Sequence, residues 1–154
     1  MSAEAVNMPQ WVYQREELVR FGHCDPAGIV FYPRYFEMLN AVVEDWFTHS
    51  LGVDYAQLLG PRRVGMPTVH LSSEFKRVSR MGERLSQRVA IRKLGRTSLT
   101  LTIHFDGPAH SAAFDDGRVA FEQILVCTNL DSHKAQPFPP DLRAALERAQ
   151  GVSA

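Results

Sequence analysis

Asp25 sits in the run His23-Cys24-Asp25-Pro26-Ala27-Gly28-Ile29-Val30-Phe31-Tyr32, just ahead of an apolar pattern that begins at Pro33. A carboxylate placed there can attack an acyl carbon or activate a water molecule. Gly28 permits a positive φ, or a close backbone approach that a side chain would block. The helix start near Tyr32 offers unpaired N–H groups and the positive end of a dipole. Such a terminus polarises a carbonyl and stabilises the negative charge that develops on its oxygen. These are the components of an acyl-transfer site, and a thioester suits them because its thiolate leaves readily. An Asp before a helix is also a common N-cap or turn residue, and Asp-Pro-x-Gly is an ordinary turn. Spacing alone leaves both roles open.

The neighbouring residues carry weaker signals. His23 and Cys24 invite a Cys-His nucleophile, but successive residues in an extended stretch point to opposite faces. Cys24 reads as a small apolar filler and His23 as a solvated loop residue. Metal binding at His23, Cys24 and Asp25 lacks a second ligand cluster at metal-site spacing. Along the helix, Glu37 and Glu44 share a face at heptad spacing. Glu37 and Asp45 read as a solvated face, whereas Asn40 and Glu44 reach toward an acyl pocket at a dimer interface. Tyr35 and Phe36 read as core. Basic residues concentrate between Lys76 and Arg96. Arg84, Arg88 and Arg92 share strand parity, so one face would carry them. That face is either simply solvated or an attractor of phosphate groups, for which Arg is well suited.

The elements that must position these residues follow from periodicity. Residues 11–21 look like a strand entering a turn, and 22–28 is a loop rich in turn formers. Tyr35, Phe36, Leu39, Val42, Val43, Trp46 and Phe47 recur at spacings of three and four, which predicts a long helix from Pro33 to near Gly52. Its apolar face is wide, as expected of a helix clasped by a curved sheet. A short helical turn is expected over 54–59. Strands are expected over 66–77, 84–94, 97–105 and 118–129, and a terminal helix over 141–150. Short connections imply antiparallel pairing of neighbouring strands. One helix against an antiparallel sheet is an α+β arrangement, and dimerisation is a natural remedy for its open edges.

The chain of 154 residues predicts one domain, with its core over about 11–132 and a C-terminal helix within 137–150. Lys plus Arg equals Asp plus Glu at 17 each, so no general nucleic-acid or membrane surface is implied. Cys24 and Cys127 are the only cysteines and form no CxxC, which fits a reducing cytoplasm. Residues 1–10 lack the apolar run of a signal peptide, and no stretch approaches the length that crosses a bilayer. Residues 1–9 and 151–154 read as loose tails.

The run from Phe21 to Tyr35 resembles the 4-hydroxybenzoyl-CoA thioesterase family, whose signature is an Asp, then x-x-Gly, a short apolar run, a Tyr and a further Tyr or His on a helix. Gly65-Met66-Pro67 with the strand residues through Phe75 resembles the next family block, and Lys93-Leu94-Gly95-Arg96-Thr97-Ser98 its strand-turn-strand block. The resemblance implies a hotdog fold and hydrolysis of an acyl-CoA thioester to a carboxylic acid and free CoA. It implies Asp25 as nucleophile or general base, the Tyr32 backbone N–H as oxyanion donor, and Gly28 as the residue that keeps the loop close to substrate. Arg96, Thr97 and Ser98 would hold CoA near its phosphates. The site would lie between two subunits of a homodimer assembled into a homotetramer, without metal or cofactor. An aromatic, hydroxybenzoyl-type acyl group is the leading expectation. A short or medium fatty acyl group, a hotdog hydratase and a non-catalytic acyl-CoA binding module are the alternatives. The hydratase usually needs a His beside the carboxylate, and no such His follows Asp25.

Overall fold

The computed structural model describes residues 8–151, so most of both expected tails lies outside the described residues. The main sheet has five antiparallel strands in the order β1-β4-β5-β6-β3. They are β1 (Trp11–Leu18), β3 (Thr68–Phe75), β4 (Arg84–Leu94), β5 (Ser98–Asp106) and β6 (Gly117–Val126). Helix α1 (Tyr32–Asp45) continues as a wider-wound turn, Trp46–Leu51, that stops at Gly52. A short helix α2 (Tyr55–Leu59) follows, with the Asp54 carboxylate accepting the Gln57 N–H. A two-stranded ladder of β2 (Val64–Gly65) and β7 (Thr128–Asn129) and the terminal helix α3 (Pro140–Ala149) complete the chain.

The helical periodicity places Tyr35, Met38, Leu39, Val42, Val43, Trp46 and Phe47 on one buried face. Alternation does the same for the sheet: Leu99, Leu101, Ile103 and Phe105 of β5 all point into the core, with Leu85 and Val89 of β4 and Val119, Phe121 and Leu125 of β6. Leu142, Ala145 and Leu146 of α3 close the core beside the 46–51 turn.

Four expectations change. β4 pairs with β5 and β5 with β6, but β3 pairs with β6 rather than with its sequence neighbour β4. The link 76–83 therefore crosses three strand spacings, about 14 Å, which its eight residues span easily. β1 ends at Leu18; Phe21 lies in a 3-10 turn and is exposed. Arg88 and Arg92 share the outer face but are not free cations. Arg88 pairs with buried Asp106 at 2.5 Å and lies over the Trp11 ring, and Arg92 pairs with Glu122. Asp45 likewise is not simply solvated, since it is half-buried against Arg15 of β1.

Candidate active site

The Asp25 loop is a miniature hairpin. Cys24 and Val30 bridge antiparallel, the Asp25 N–H donates to the Ile29 carbonyl at 3.0 Å, and the Gly28 N–H to the Asp25 carbonyl at 2.9 Å. The turn needs φ of +79° at Gly28, while a Cβ there would meet nothing within 4 Å. Conformation rather than crowding therefore explains this glycine. Asp25 Oδ1 accepts the Ala27 N–H at 2.9 Å, so the turn role of this residue is real. Oδ2 accepts no hydrogen bond among the described residues and remains available on a half-buried side chain. The turn contact thus occupies one carboxylate oxygen and leaves the other unbonded. His23 belongs to the scaffold: its Nδ1 accepts the Arg20 N–H and its carbonyl the Phe31 N–H, both at 2.9 Å. Cys24 packs partly against the core.

Phe31 precedes the first turn of α1, and Pro33 follows Tyr32. The Val30 and Phe31 N–H groups are both engaged, and Pro33 has none. The Tyr32 N–H donates to no backbone carbonyl among the described residues. The aligned peptide dipoles thus present one free donor close to the Asp25 loop.

Beside this donor lies a cavity of about 260 Å³ lined by Ile29, Val30, Tyr32, Tyr35, Phe75 and Val78, with Lys76 and Arg77 at its wall. Phe31 and Phe75 stand edge-on to Tyr32, with centroids 5.6 and 6.3 Å away. Burial pushes the Tyr35 phenol above the usual tyrosine range, opposed by the Ser79 hydroxyl and the Arg118 charge.

Asn40 and Glu44 line a different cavity, of about 280 Å³, with Val43, Tyr55, Thr68 and Gln123. Burial, aided by Glu44, pushes the Tyr55 phenol up. Gln123 is buried and bonds Thr68 Oγ1 through its amide nitrogen, leaving its oxygen unpaired. A larger cavity of about 350 Å³ opens between α2 and the β2–β7 ladder, but no carboxylate lines it. Arg96, Thr97 and Ser98 sit at the β4–β5 turn, where the Gly95 carbonyl accepts Arg143 Nη1 from α3 at 2.6 Å. Eleven residues of β4 separate that turn from the 76–83 link beside Asp25, about 35 Å of strand. Within one chain, then, Asp25, Gly28 and Tyr32 come together, while Arg96–Ser98 and the Asn40–Glu44 chamber lie elsewhere. No group of three or more His, Cys, Asp or Glu residues that could hold a metal ion occurs among the described residues. No described helix is long and apolar enough to cross a membrane.

The loop, the start of α1 and every strand except β1 lie within a stretch that matches a known family. The family model of the thioesterase-like superfamily matches residues 19–146. The chain belongs to that superfamily. Its architecture is the hotdog fold, and the family makes it a thioester hydrolase. A 1,4-dihydroxy-2-naphthoyl-CoA hydrolase from Synechococcus elongatus is 24% identical over 139 residues, covering 88% of this chain and 95% of the relative. A 4-hydroxybenzoyl-CoA thioesterase from Pseudomonas sp. is 34% identical over 61 residues, 39% of this chain and 43% of the relative. The solved structure of a gentisyl-coenzyme A thioesterase superposes with a TM-score of 0.75 at 26% identity, covering 86% of this chain and 98% of that one.

What sequence reasoning did not single out is the support under the loop. The Val30 N–H donates to the Ser79 carbonyl at 2.9 Å, and Ile29 bridges to Arg80. Ser79 is fully buried although it lies in a connecting segment. Arg118 of β6 is also buried, between Asp116 and Glu83. The Arg118 guanidinium holds both carboxyls below the usual carboxylate range. The available signal was a charged residue at the start of a strongly apolar strand, directly after Asp115-Asp116-Gly117.

Proposed function

We propose that this thioesterase hydrolyses an acyl-CoA ester whose acyl group is aromatic, with Asp25 as nucleophile or general base. One observation carries the reading: Asp25 keeps an unpaired oxygen on the loop whose Ile29 and Val30 line an aromatic-walled cavity together with Tyr32, whose N–H is free. The thioester carbonyl would accept the Tyr32 N–H, the aryl group would lie among Tyr32, Tyr35 and Phe75, and the thiolate would leave toward solvent. The CoA-ester hydrolases among the relatives act on aryl-CoA substrates by name, which supports the same choice. No step of this hydrolysis calls for a metal or a cofactor. The whole chain would act as a single domain, in the cytoplasm.

The site is proposed to be completed by a second copy. Every residue of edge strand β3 is exposed, including Val69, Leu71 and Phe75, which is a liability unless covered. Two-fold pairing of β3 with its copy runs antiparallel, placing the Thr68 end of one strand beside the Phe75 end of the other. The chamber of Asn40 and Glu44 would then face the aromatic cavity across the interface. That cavity, at about 260 Å³, is slightly small for a complete small-molecule site, as expected of half a site. Arg96, Thr97 and Ser98 would receive the CoA phosphates in the assembled homotetramer.

The experiment is a thiol-release screen over aryl-, short- and long-chain acyl-CoA esters, with the Asp25→Asn variant beside the wild type. Aryl-CoA turnover in the wild type and its loss in a folded Asp25→Asn variant are expected. Turnover of enoyl-CoA without thiol release, or tight binding with no turnover, would favour a hydratase or a binding module. Wild-type kcat in Asp25→Asn would refute the proposed chemistry.

A further inference from the structure

The Asp25 loop does not rest on the sheet directly. Its outer arm, Ile29–Val30, lies along Ser79–Arg80 through the Val30-to-Ser79 hydrogen bond and the Ile29–Arg80 bridge. Ser79 and Arg80 belong to the 76–83 link, which has neither helix nor strand of its own. Backbone bonds tie its two ends, Lys76 and Arg77 to the Arg118 carbonyl and Gly82 to the Val19 carbonyl, but its middle needs a further anchor, because backbone without a ladder is ordinarily mobile.

The Arg118 guanidinium occupies that place. Its Nη1 donates to the Val78 carbonyl at 2.9 Å, to Ser79 Oγ at 3.3 Å and to Glu83 Oε1 at 3.0 Å. Nη2 donates to Glu83 Oε2 at 2.8 Å and to Asp116 Oδ2 at 3.2 Å, and Nε to Asp116 Oδ1 at 2.9 Å. Glu83 Oε1 also accepts the Arg80 N–H at 2.6 Å. One planar cation, buried and flanked by two carboxylates, therefore grips both ends of the 78–83 segment. A fixed fork of donors does this; a point charge on a flexible stem does not. The backbone carbonyls and amides it fixes are adjacent to those that align Ile29 and Val30.

We propose that Arg118 is a positioning residue for the acyl-transfer site, holding through Val78, Ser79 and Glu83 the strip of backbone that aligns the Asp25 loop with the Tyr32 N–H. This rests on the reading of Asp25 and Tyr32 given above. Arg118 touches no substrate; it acts by keeping the attacking oxygen and the oxyanion donor in register. Misplacing such groups by an ångström lowers kcat far more than it alters ground-state binding.

The test uses the full-length Arg118→Lys and Glu83→Gln variants, with Asp25→Asn as reference. The best aryl-CoA ester found in the thiol-release screen serves as substrate. Lys keeps the charge but loses the fork, so kcat is expected to fall by roughly 10- to 100-fold, with KM within about threefold of wild type. Hydrogen exchange supplies a second readout. Amides 29–31 and 78–80 should exchange faster in Arg118→Lys while those of β4 and β5 keep their protection. Should the Lys variant fail to fold, Glu83→Gln provides the same readouts, with a smaller change in the same direction. Wild-type kcat together with unchanged exchange at Val30 in a folded variant overturns the proposal, as does exchange that rises equally across the sheet. An inactive Asp25→Asn beside a fully active Arg118→Lys sinks this inference alone. A fully active Asp25→Asn sinks the reading beneath it.

Discussion

Replacing Gly107 by Ala adds a single methyl group at a site where the sequence suggests only a loop glycine. A Cβ built there lies 2.5 Å from Arg118 Nε and closer still to Asp116 Oδ2 and Arg118 Nη2. All three are side-chain atoms, and on an open surface they would swing away at little cost. Here they cannot, because Arg118 and Asp116 are both buried and bonded to each other. Relief requires moving the guanidinium away from Asp116, or shifting the Gly107 backbone, whose N–H donates to the Asp116 carbonyl at 2.8 Å. Overpacking a tight site costs about 1–3 kcal/mol. A weakened hydrogen bond to a charged group adds about 1.5 kcal/mol or more. The combined destabilisation is about 2.5–4.5 kcal/mol, which for a chain of this size lowers Tm by roughly 5–18 °C. Calorimetry or circular dichroism of Gly107→Ala beside wild type measures it at one protein concentration, since assembly also moves Tm. A Tm within about 2 °C of wild type would show that the network yields without loss, and the account of Arg118 as a rigid brace would fail with it.

Two further outcomes are expected. Arg96→Ala should raise KM for CoA esters with little change in kcat, because it removes binding present in ground and transition states alike. Equal KM for a CoA ester and its pantetheine fragment in the wild type would contradict a phosphate contact there. The second concerns acid stability. Arg118 depresses the carboxyl pKa of Glu83 and Asp116 in the folded state. Groups depressed on folding contribute stability that is present above their unfolded pKa, near about 4, and is lost as pH falls through the folded value. Urea midpoints should therefore fall as pH drops below about 4, and an Asp116→Asn variant should lose less over that interval. An identical pH slope in the variant would contradict the linkage.

Much of the local structure was legible in the residues themselves. The spacing of Leu39, Val42, Val43 and Trp46 specifies a buried helical face, and the alternation through Leu99, Leu101 and Ile103 a half-buried strand, because both depend only on backbone periodicity. Asp25-Pro26-Ala27-Gly28 dictates its own turn through the Asp25 side chain and the positive φ of Gly28. The helix start at Tyr32-Pro33 follows from the missing N–H of Pro33. Local rules also bring Asp25, Gly28 and Tyr32 together, because they are neighbours in sequence; the chemical role expected of Asp25 came from the family resemblance alone.

Tertiary structure alone decided the rest. Nothing local makes β3 pass over β4 to pair with β6, because strand partners are chosen by how apolar faces close over α1. That choice sends the 76–83 link beneath the Asp25 loop and lets Arg118, ninety-three positions after Asp25 (118 minus 25), support it. It also explains why the basic run reads misleadingly. Arg88 and Arg92 share parity with Arg84, but whether an arginine is free depends on the strand beside it. Asp106 and Glu122 arrive from β5 and β6 to neutralise those two. Charge pairing and support across a sheet depend on register between distant segments, which periodicity along one segment does not encode.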